Sequence, residues 1–268
     1  MFEPCRLLFL FSIFVISLTN AKPEHNMTSH SAFGHYPMRR PVEYSSPHPY
    51  PFMVSVRLWP NDENVCTGTI IGPSSILTAA SCIFGWFEKE LRLKVGSNNG
   101  DQATIYEIGS YAVHPDFDHK THVNDIALIH PKQPIKMIPN KVSPVFLAAT
   151  EPSVGSHSYL LTWSSKRADP HSKDELKRIT TTIKDRENCD PDMYDPFTVD
   201  SRQLCTLNVP EEGACNSDFG GPLMTDGKQV GIVSYFLTVG YDMECGNGLP
   251  IVHTSVVKYR QWIASNLK

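Results

Sequence analysis

From Phe52 onward the chain is built of short β-branched or alternating runs, each closed within a few residues by Pro, Gly, Asn or Asp. Examples are Met53-Val54-Ser55-Val56-Arg57-Leu58, Thr69-Ile70-Ile71, Leu91-Arg92-Leu93-Lys94-Val95, Ile126-Ala127-Leu128-Ile129 and Val230-Gly231-Ile232-Val233-Ser234-Tyr235. Runs of this length bury one face of a strand and are too short for a helix, and no helix-length periodicity separates them, so the pattern predicts an all-β domain. The 16 glycines and 21 prolines fit a chain that turns often. Only the end breaks the rule. Val256, Tyr259, Ile263 and Leu267 recur three to four apart between Ser255 and Lys268, which predicts a terminal helix with one apolar face on the barrel.

Residues 1–21 read as a signal peptide. An uncharged apolar run from Leu7 to Leu18 follows Arg6, is too short to span a bilayer comfortably, and ends at Thr19-Asn20-Ala21, where small residues suit cleavage. An uncleaved anchor is the alternative. Secretion is therefore expected, with no membrane span in the mature chain. Cleavage removes Cys5 and leaves six cysteines at 66, 82, 189, 205, 215 and 245, an even number in an oxidising compartment. Six cysteines permit 15 pairings, and spacing does not choose among them. No CxxC pair occurs, so neither metal nor cofactor is expected. Residues 22–49 are rich in Pro, His and Ser and read as a flexible arm, in which Asn26-Met27-Thr28 is a glycosylation sequon. A formal net charge of −4 gives no electrostatic reason for a nucleic-acid partner.

Several motifs then occur in one order across residues 50–268. They are Pro51-Phe52-Met53-Val54-Ser55-Val56, Cys66-Thr67-Gly68-Thr69-Ile70-Ile71, Ile76-Leu77-Thr78-Ala79-Ala80-Ser81-Cys82, Asn124-Asp125-Ile126-Ala127-Leu128-Ile129, Cys215-Asn216-Ser217-Asp218-Phe219-Gly220-Gly221-Pro222-Leu223, and Tyr259 with Trp262-Ile263. Together they resemble the trypsin and chymotrypsin-like serine proteases. The resemblance implies two six-stranded Greek-key β-barrels, a C-terminal helix and a cleft between the barrels. It also implies the pairings Cys66–Cys82, Cys189–Cys205 and Cys215–Cys245, each expected to contribute roughly 2–4 kcal/mol by restraining the unfolded chain.

The residues that would carry the family's chemistry are altered. Acyl transfer needs a hydroxyl nucleophile, an imidazole to move its proton and a carboxylate to orient that imidazole. Aligned with the family motifs, Asp125 matches the carboxylate, the histidine position is Ser81 and the nucleophile position is Phe219. Serine is no general base near neutral pH, and a phenyl ring has no nucleophilic atom. His114, His119 and His122 read as polar loop residues that would have to cross into the cleft to act. The oxyanion glycine position is Ser217. The position of the basic-residue specificity aspartate is Gly213, and the pocket walls carry Phe236 and Ile251 where the family usually has glycine.

Activation is altered in parallel. The usual Ile-Val-Gly-Gly start is missing, and Arg39-Arg40-Pro41-Val42 stands near its place. Asp218, which in the family receives the new N-terminus, is expected either to face solvent or to pair with another cation. The resemblance therefore implies a pseudoenzyme that binds an extracellular protein, as cofactor, decoy or modulator of a proteolytic or immune cascade. Alternatives are an inhibitor presenting a loop, or an enzyme with a different constellation. Candidate contact surfaces are Tyr194-Asp195-Pro196-Phe197, residues 236–243 and the loop Phe84–Glu90.

Overall fold

The computed structural model describes residues 50–97, 103–163, 176–189, 199–207, 218–236 and 249–268. Residues 1–49, Arg39 and Arg40 among them, lie outside these, as do Tyr194–Phe197, Gly213, Cys215, Ser217, residues 237–243 and Cys245.

Twelve strands are found among the described residues, and they form two closed antiparallel barrels of six. The first comprises β1 (Met53–Leu58), β2 (Glu63–Gly72), β3 (Ser75–Thr78), β4 (Leu91–Val95), β5 (Thr104–Val113) and β6 (Ala127–Pro131), ordered β1-β2-β3-β6-β5-β4. The second comprises β7 (His157–Thr162), β8 (Lys177–Lys184), β9 (Gln203–Leu207), β10 (Pro222–Thr225), β11 (Lys228–Phe236) and β12 (Pro250–Ser255), ordered β10-β11-β12-β9-β8-β7. The alternation seen in sequence is the pleat itself. In β4, Leu91, Leu93 and Val95 are buried while Arg92 and Lys94 sit half-buried on the other face; in β8, Ile179, Thr181 and Ile183 point inward. Closure leaves no unpaired edge along either barrel wall.

Two disulfides are present among the described residues, Cys66–Cys82 and Cys189–Cys205, with Cα atoms 5.8 and 5.7 Å apart. The first ties β2 to the turn that follows β3.

The C-terminal element is shorter than the periodicity predicts. A 3-10 turn, Val257–Tyr259, runs into α1 (Arg260–Ser265). Val256 is held at the barrel by its N–H bond to the Val230 carbonyl, which delays the helix, and the Asn266 side chain takes the Trp262 carbonyl and ends it. Val256, Tyr259 and Ile263 are buried as expected, but Leu267 lies past the helix and is 36% exposed.

The barrels are joined by polar groups as well as by apolar packing. Thr69 Oγ1 donates to Gln229 Oε1 at 2.8 Å in a buried position, and the Thr67 N–H donates to the Phe219 carbonyl at 2.8 Å. These bonds fix the cleft walls relative to each other.

Candidate functional site

Asp125 precedes β6 and its side chain is fully buried. A carboxylate removed from water must be satisfied by donors, and here several converge. Oδ1 accepts the Ser81 backbone N–H at 2.7 Å. Oδ2 accepts the hydroxyls of Ser81 at 3.0 Å and Ser234 at 2.6 Å. Ser234 reaches it because the β11–β12 register shifts between Val233 and Tyr235, a bulge that re-aims this one side chain. The Asp125 carbonyl accepts from Thr254 Oγ1 at 2.8 Å, so both ends of the residue are anchored to the second barrel.

A fourth side chain arrives that sequence reasoning placed elsewhere. His122 Nδ1 lies 3.3 Å from Asp125 Oδ2, and the imidazole sits 5.3 Å from the Tyr235 ring and 6.4 Å from the Phe117 ring. Of the three loop histidines, this one does cross to the carboxylate. Its backbone is in the left-handed region, φ +52°, as is that of Asn124, φ +60°. That pair of turns folds the loop back on itself. The loop is pinned by Asp118 N–H to the Val123 carbonyl, by Gln203 Nε2 to the His122 carbonyl and by Asn124 Nδ2 to the Asp116 carbonyl. Asn124 Oδ1 accepts two bonds, from Tyr259 Oη at 2.8 Å and Arg202 Nη1 at 2.9 Å. No residue spacing announces this arrangement. Asn124 tolerates the left-handed backbone, but nothing in the sequence says that the imidazole two residues earlier turns inward.

The other two histidines stay outside. His114 packs against Tyr259 and Trp262, with ring centroids 5.5 and 5.4 Å away, and burial lowers its pKa. His119 stacks on Phe84 at 5.9 Å.

Across the cleft, Phe219 lies half-buried with its ring stacked on Phe236 at 5.1 Å and an interplanar angle of 28°. Phe236 pairs across strands with Ile251, which is 1% exposed. Phe219 and Phe236 both pack on the core cluster that includes Ile251. Apolar side chains therefore fill the space beside β11. Asp218 does not face solvent: it is buried, and its Oδ1 accepts the Trp163 N–H at 2.9 Å. Gly220 follows with φ +81°, and a Cβ there would fall 2.2 Å from both the Thr67 carbonyl oxygen and Thr78 Oγ1. The turn that presents Phe219 thus requires glycine.

The chemistry available follows from these contacts. The cleft holds a fixed carboxylate with an imidazole beside it, while position 219 presents hydrocarbon. Among the described residues no group of three or more His, Cys, Asp or Glu could hold a metal ion, and no helix is long and apolar enough to cross a membrane. Of the surfaces singled out in sequence, the loop Phe84–Glu90 exposes Phe84 (57%), Trp86 (40%) and Phe87 (65%).

Comparison with known proteins bears on these features. The family model described as Trypsin matches residues 42–263. Among curated proteins, "Inactive serine protease scarface" of Drosophila melanogaster is 24% identical over 135 residues, 48% of this chain and 20% of that protein. "Vitellin-degrading protease" of Bombyx mori is 29% identical over 132 residues, 48% of this chain and 49% of that protein. "Achelase-1" of Lonomia achelous is 37% identical over 81 residues, 30% of this chain and 37% of that protein. The matched parts thus span half or less of those relatives. Among solved structures, neuropsin, a serine protease expressed in the limbic system of mouse brain, superposes with a TM-score of 0.71 at 23% identity. That match covers 84% of this chain and 98% of neuropsin, a likeness of fold.

Proposed function

The chain belongs to the trypsin family, and from that premise we propose that it is a secreted, catalytically inactive member that works by binding another extracellular protein. One observation carries the reading. Phe219 occupies the family's nucleophile position, and its ring is stacked on Phe236, so the place from which a hydroxyl would attack is hydrocarbon. Ser81 at the histidine position supports it, since its hydroxyl is spent on Asp125. Phe236 and Ile251 narrow the substrate slot, which disfavours docking of a long side chain there.

A trypsin-like scaffold with altered chemistry suits a cofactor, decoy or modulator in an extracellular proteolytic or immune cascade. The loops rimming the cleft are the contact surface, because they vary without disturbing the barrels. A similar protein bears the name of an inactive protease, which supports loss of activity within this fold. The test is titration of the purified mature chain with a fluorophosphonate probe beside active trypsin. Absence of covalent labelling is expected. Stoichiometric labelling at one serine would refute the proposal.

A further inference from the structure

Where the family histidine is missing, an imidazole from another loop lies beside Asp125. Asp125 already accepts from Ser81 N, Ser81 Oγ and Ser234 Oγ, so its carboxylate acts purely as an acceptor. A ring nitrogen 3.3 Å from Oδ2 must then carry the proton and donate it. In the neutral ring that selects the tautomer with Nδ1 protonated and the lone pair on Nε2. The ring is held between Tyr235 and Phe117 and keeps 28% of its side-chain surface open. Its Nε2 has no hydrogen-bond partner among the described residues. A carboxylate that orients an imidazole through one nitrogen and leaves the other as a base is defined by geometry and role, whatever loop supplies the ring.

We infer that His122 supplies the oriented imidazole that Ser81 cannot, so that the cleft retains an Asp–His pair although position 219 offers no nucleophile. The inference rests on Phe219 marking the nucleophile position, as proposed above. Its chemical content is a proton transfer. With a hydroxyl introduced by Phe219→Ser, the oxygen attacks the phosphorus of a fluorophosphonate, its proton passes to His122 Nε2, the oxygen–phosphorus bond forms, and fluoride departs as the phosphorus–fluorine bond breaks.

Two experiments test it. In the unaltered chain, long-range proton–nitrogen NMR of the imidazole should show His122 as the Nδ1–H tautomer, with that signature lost in Asp125→Asn; an Nε2–H tautomer would overturn the inference without requiring any variant to fold. Second, fluorophosphonate labelling is compared in F219S, F219S/H122Q and F219S/S81H. F219S should label, and adding H122Q should slow labelling by on the order of 100-fold or more, the usual contribution of a general base. Equal rates with and without His122 would refute it. So would labelling of F219S/S81H but not F219S, an outcome that leaves the reading of position 219 intact. Labelling of neither would remove that reading as well.

Discussion

His253 gives the fold a specific sensitivity to acid. It lies on β12 with no exposed surface, its Nε2 is 2.8 Å from Thr206 Oγ1, and its Nδ1 has no hydrogen-bond partner among the described residues. Desolvation by burial pushes its pKa down from 6.5 to about 3. The folded chain therefore keeps the ring neutral at a pH where the unfolded chain has protonated it. This contribution to stability is complete above the unfolded value of 6.5 and is lost as pH falls from there toward about 3. Each pH unit inside that window costs roughly 1.4 kcal/mol, so moving from about pH 7.5 to about pH 4.5 costs about 2–3 kcal/mol. For a domain of this size that lowers Tm by roughly 5–10 °C. Burial also lowers the pKa values of His114 and His130, which act in the same direction and are common to any His253 variant. The assay is thermal unfolding of the unaltered chain and of His253→Gln at the two pH values. Glutamine keeps a polar partner for Thr206 and does not titrate, so the variant should lose less stability on acidification by the amount above. If the two chains lose stability equally, the buried neutral imidazole is not what titrates.

Two further outcomes follow from packing. Gly220→Ala should destabilise by about 3–5 kcal/mol, combining a left-handed backbone penalty with overpacking against Thr67 and Thr78, and chemical denaturation would register it; a shift below about 1 kcal/mol would mean that the turn relaxes freely. Replacing Cys189 and Cys205 together by alanine should cost about 2–4 kcal/mol in the same measurement, and an unchanged midpoint would show that the loop closure contributes nothing.

Much of the fold was legible because strand periodicity survives in the sequence. Leu91, Leu93 and Val95 alternate with Arg92 and Lys94 in the chain as they do on the barrel wall. The terminal helix was legible only in part. Periodicity located Val256, Tyr259 and Ile263, but the β12 exit and the Asn266 side chain set the helix limits, and both are tertiary or local polar effects that a 3.6-residue pattern does not contain. At the cleft, Asp125, Ser81 and Phe219 could be singled out because they sit inside motifs with fixed neighbours. His122 could not, since its place depends on two left-handed residues and on hydrogen bonds from Arg202, Gln203 and Tyr259, all more than 75 positions away. For Asp218 the sequence left two readings, and its burial with a bond from the Trp163 N–H, just past β7, removes the solvent-facing one.

The double acceptance at Asn124 has a consequence for motion. Its side-chain oxygen is shared by Tyr259, at the root of the terminal helix, and by Arg202, just ahead of β9, while its own backbone turns the loop that carries His122. Displacement of Tyr259 removes one of those two bonds, while Arg202, Gln203 and the loop's own backbone bonds still hold it. One side-chain oxygen thus ties the root of the terminal helix to the rim of the cleft across more than 130 residues of sequence, a link through which local opening of one can be felt by the other.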